Sequence, residues 1–76
     1  MGVMRIVDST GDSSVTWAID DVASVAEAEA VFARLAGERK IPFARTPGAP
    51  ASDAERISVF DPALEEIVWV RPIAGG

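Results

Sequence analysis

Apolar and polar residues alternate along residues 14–19, where Val15, Trp17 and Ile19 interleave with Ser14, Thr16 and Ala18. That period of two predicts a strand with one buried and one wet face, and it makes Trp17 a core residue. Residues 3–8 predict a preceding strand, and Ser9-Thr10-Gly11-Asp12-Ser13 joins the two as a β-hairpin. The period then changes. Val25, Ala28, Phe32 and Leu35 recur at steps of three and four, leaving Glu27, Glu29 and Arg34 for water, as on an amphipathic helix. Ser24-Val25-Ala26-Glu27 fits a capping box that starts the helix at about Val25, and Gly37 is a natural stop. Glu27 and Glu29 lie toward the positive end of the helix dipole, with Arg39 and Lys40 just past the negative end.

Beyond the helix, Ile41-Pro42-Phe43-Ala44 predicts a short strand whose proline suits an edge or a strand start. Residues 46–53 carry Pro, Gly and Ser without apolar periodicity, the pattern of a mobile surface connection. A strand is expected over residues 55–60, then a turn in which Asp61 caps and Pro62 takes the first position. Residues 67–73 are apolar at most positions of both parities, as in a strand inside a sheet. The expected order is strand, strand, helix, strand, strand, strand.

Composition narrows the chemistry. An apolar fraction of 49% is that of a folded chain, and 76 residues make one small domain, here residues 1–74 followed by a flexible 75–76 tail. The chain has no Cys and no His, which removes disulfides, thiolate and imidazole metal sites, and the usual nucleophile and general base. No enzymatic activity, bound cofactor or metal is expected. Asp8-Ser9-Thr10-Gly11-Asp12 lacks the ligand spacing of a calcium loop. A net charge of −5 argues against nucleic acid or an anionic membrane as partner and favours a basic pocket on a partner protein. No apolar run reaches the length of a membrane span and no signal segment opens the chain, so the expected location is cytoplasmic. Met1-Gly2 lacks the Ser or Thr at position 6 that myristoylation requires.

The sequence closes on Gly75-Gly76 after Pro72-Ile73-Ala74. Without Cβ atoms, such a tail can thread a narrow channel and present the Gly76 carboxylate to an adenylating enzyme. A frayed terminus is the competing reading. The order of elements and this ending resemble the ubiquitin-like β-grasp proteins and their sulfur-carrier relatives of the ThiS and molybdopterin-synthase small-subunit type. Met4-Arg5-Ile6-Val7 followed by a Thr-Gly turn is similar to their opening hairpin, and Lys40-Ile41-Pro42 falls where they leave the helix. The resemblance implies an α+β, ubiquitin-like β-grasp fold, a mixed sheet of four to five strands on one main helix.

It also implies a carrier or modifier. An activating, adenylating partner enzyme uses ATP to convert the Gly76 carboxylate to an acyl-adenylate, for sulfur transfer or for conjugation to an acceptor protein. The intervening Pro/Gly loop and Phe60-Asp61-Pro62 depart from that family. The hairpin start and Phe60-Asp61-Pro62 resemble short proteins of tailed-phage genomes, which implies no activity.

The alternative is a non-covalent binding or assembly module, such as a part of a phage particle. If Val68 and Val70 face the helix, as polar Arg71 on the other parity suggests, Trp69 and Arg71 join Arg5 on the open sheet face as a docking patch. The other arrangement buries Trp69 and leaves Arg71 to reach the rim.

Overall fold

The computed structural model describes residues 1–8 and 11–70. β1 (Gly2–Asp8) and β2 (Gly11–Trp17) form the hairpin, α1 (Val22–Gly37) follows, and then come β3 (Ile41–Arg45), a 3-10 turn at Ala51–Asp53, β4 (Glu55–Arg56) and β5 (Glu66–Val70). Among the described residues the sheet runs β2-β1-β5-β3-β4. β1 and β5 pair in parallel and every other neighbour is antiparallel. One helix and a mixed sheet with parallel strands at its middle make this a β-grasp-like α+β fold.

The core lies between α1 and one face of the sheet. Met4 and Ile6 of β1, Trp17 of β2 and Ile67 and Trp69 of β5 meet Ala28, Phe32 and Leu35 of α1, with Phe60 added from the segment before β5. The four aromatic rings form a chain, Trp17 to Phe60 at 5.0 Å, Phe60 to Phe32 at 5.9 Å and Phe32 to Trp69 at 4.8 Å. Tilted and edge-on pairs of this kind add about 0.5–1.5 kcal/mol each beyond the area they bury.

The helix starts three residues before the expected position because Asp21 caps it instead of Ser24. Asp21 Oδ1 accepts from the Ser24 N–H at 3.3 Å. The Ser24 hydroxyl is spent differently, accepting from the Ala18 N–H at 3.0 Å and donating to the Asp21 carbonyl at 2.9 Å, which ties the β2–α1 connection to the first turn. β2 correspondingly sits earlier in the chain than residues 14–19. Ile19, expected inside, falls in that connection and is exposed.

At the other end the Lys40 N–H reaches the Leu35 carbonyl and the Arg39 N–H the Ala36 carbonyl, the bonding of a Schellman motif. Arg39 occupies its left-handed position at φ 65°, where a side chain is strained and glycine is not. Arg39→Gly is therefore expected to raise stability by about 0.5–1 kcal/mol, a gain of roughly 2–8 °C in Tm on a thermal melt. A lowered Tm would show that the Arg39 side chain stabilises more than the strain destabilises.

Pro42 lies in a strand flanked on both sides, at its second residue, so the strand-start expectation holds and the edge one does not. Its carbonyl accepts from the Ile57 N–H at 3.1 Å. The 46–53 connection contains a Thr46–Ala49 turn with Pro47 second and Gly48 third at φ 86°, the order a type II turn needs. The strand expected at 55–60 is only two residues long, Glu55–Arg56, since Phe60 must leave the sheet to fill the core. Asp61 closes the next turn as expected, its Oδ1 accepting from the Ala63 N–H at 2.9 Å.

Candidate functional site

Alternation along each strand settles which side chains face away from α1. With Met4, Ile6, Ile67 and Trp69 in the core, Val3, Arg5 and Val7 of β1 and Glu66, Val68 and Val70 of β5 share the open face. Strand register extends this to Ile41, Phe43 and Arg45 of β3. One row crosses all five strands: Ser14, Arg5, Val68, Phe43, Arg56. An apolar pair at its middle is bracketed by an arginine on each side.

The neighbouring row aligns Val3, Glu66 and Arg45. Glu66 is 7% exposed, a carboxylate taken out of water on the open face of the central strand. Arg5 Nε donates to Glu66 Oε2 at 2.7 Å, and Arg45 Nε stands 3.7 Å from Oε1. The arginine ends are half-exposed, so solvent screens these pairs and their main effect is geometric: Glu66 holds two guanidinium groups over the face. Beside them is a shallow recess of about 300 Å³ lined by Phe43, Arg45, Ala54, Val68 and Val70.

The expected docking patch is therefore rearranged. Arg5 takes its expected place on the open face. Trp69 does not: it is 0% exposed, faces α1, and lies edge-on to Phe32, while Val68 and Val70 occupy the face it was assigned. Its Nε1–H finds no acceptor among the described residues. Arg71, the lead-in Pro72, Ile73 and Ala74, and Gly75 and Gly76 lie outside the described residues. Phe43, Arg45, Val68, Val70 and Arg56 complete the face: Val68 and Val70 lie in a run that is apolar on both parities, and Phe43, Arg45 and Arg56 reach the face only through a cross-strand register that the sequence does not display. Among the described residues no group of three or more His, Cys, Asp or Glu is placed to hold a metal ion, and no helix is long and apolar enough to cross a membrane.

No protein-family model, curated protein or solved structure matches this chain.

Proposed function

We propose that this protein is a non-covalent binding module that docks a partner protein on the open face of its sheet, with no catalysis of its own. The observation that supports this reading is the row of Val68 and Phe43 between Arg5 and Arg56, next to the recess at Val70. Apolar surface ringed by arginine is the composition enriched where binding energy concentrates. Fold alone carries no such conclusion, because one architecture hosts many functions.

Val70→Asp is expected to weaken partner binding at least about tenfold, since a carboxylate would have to be desolvated in the interface. Val22→Asp is the matched control, placing the same change on an exposed valine in the first turn of α1, where an acid suits the helix dipole. Affinity capture from the natural host with both variants reads this out. Partners retained by Val70→Asp as fully as by Val22→Asp would sink the reading.

A second reading is the carrier activated at Gly76, favoured by the β-grasp-like fold together with Gly75-Gly76. Under it an adenylating partner and ATP act on the tail, with Pro72, Ile73 and Ala74 as lead-in and an acceptor protein as recipient. The intact mass of protein from the natural host distinguishes the two, with a thiocarboxylate or isopeptide at Gly76 expected for the carrier. An unmodified carboxylate, with partner capture unchanged on deleting Gly75 and Gly76, leaves only the binding module.

A further inference from the structure

The net charge of −5 points toward a basic partner, but the open face reverses that sign locally. Arg5, Arg45 and Arg56 gather around Phe43, Val68 and Val70. The acids of this face among the described residues are Glu66, already held between two arginines, and Asp12, out on β2 opposite Val7. Arg56 is exposed and no carboxylate among the described residues pairs with it. Resting on the binding reading above, we propose that the partner presents an acidic, apolar segment: a large apolar side chain seated in the Phe43–Val68–Val70 recess, with carboxylates on its flanks received by Arg56 and Arg5.

The geometry sets the spacing. Strands lie about 4.8 Å apart, so Arg5 and Arg56, three strands from one another, stand roughly 14 Å apart at the backbone. Carboxylates on both sides of one or two apolar residues span that width once the arginine side chains lean inward. Guanidinium and carboxylate pair through parallel N–H donors, which fixes orientation as well as attraction. A recess of about 300 Å³ takes a side chain and is at the bottom of the range for a small-molecule site. A second copy of this chain is the wrong occupant, because two such faces would oppose arginine to arginine. A nucleic acid would meet the same arginines but also the excess negative charge of the molecule.

The test is selection of a random peptide library on phage against the full chain, followed by affinities of the enriched peptides for wild type, Arg56→Glu and Val70→Asp, with a single-stranded oligonucleotide as competitor. Expected are peptides with Leu, Ile or Phe flanked by Asp or Glu, bound about tenfold or more weakly by either variant, weakened further by salt, and not displaced by the oligonucleotide. Peptides that lack carboxylates yet lose binding to Val70→Asp would overturn the acidic partner and leave the docking face standing. Displacement by the oligonucleotide would overturn the choice of a protein segment. Selection yielding no peptide sensitive to Val70→Asp would overturn the docking face itself.

Discussion

Trp69→Ala should remove a large share of the protein's stability. Truncating a buried tryptophan removes about 3–5 kcal/mol, while a chain of this length has roughly 4–11 kcal/mol in total. The ring is fully enclosed and rests edge-on against Phe32, which in turn touches Phe60, so the cavity would open at one end of the aromatic chain and loosen the rest. Urea titration followed by circular dichroism reads the loss directly. A tryptophan on a docking face would change stability by less than about 1 kcal/mol, so a shift that small would return Trp69 to the open face. Trp69→Phe should be milder, because it keeps a ring in place and removes the Nε1–H that finds no acceptor.

Gly2→Ala should destabilise by about 3 kcal/mol or more, an unusual size for one added methyl group. A Cβ at Gly2 would lie 2.2 Å from Cε2 and Cζ2 of Trp17 and 2.8 Å from the Leu64 carbonyl oxygen. The indole cannot yield cheaply. It is 1% exposed, its Nε1 donates to the Pro62 carbonyl at 2.9 Å, and its ring meets Phe60 edge-on at 5.0 Å. Any movement that clears the methyl group gives up the hydrogen bond or the ring contact, or parts β1 from β2. On a thermal melt the loss corresponds to roughly 12–24 °C. Gly37→Ala, with nothing within 4 Å of its Cβ and a helical position, should instead raise Tm slightly. Equal melting temperatures for wild type and Gly2→Ala would mean that the ring does not lie over β1.

The β-grasp-like fold was legible because its elements carry separate periods. The α1 stripe of Ala28, Phe32 and Leu35 has nearly no alternative, and Trp17 sits on the apolar parity of its strand. The docking face was not legible for a physical reason. Ile67-Val68-Trp69-Val70 is apolar at every position, so alternation cannot say which pair turns inward. Arg71 points Val68 and Val70 toward the helix, but the informative charge is Glu66, which shares its parity with Val68 and Val70 and is held there by Arg5 and Arg45. That pairing joins three strands distant in sequence. The helix start is a subtler case. Asp21 and Ser24 are both good caps, and only the bond between the Ser24 hydroxyl and the Ala18 backbone tells that Ser24 serves the preceding connection.

The parallel β1–β5 pairing at the middle of the sheet bears on how the chain is made. β1 leaves the ribosome before the other described strands, whereas its inner neighbour β5 is the last of them in sequence. At ordinary elongation rates the interval between Met4 and Ile67 is on the order of 3–13 s. The β1–β2 hairpin can form in microseconds, yet throughout that interval β1 offers an open row of backbone donors and acceptors beside Met4 and Ile6. Synthesis interrupted before β5 would thus release a chain whose exposed strand edge is a template for aggregation, not a smaller version of the fold.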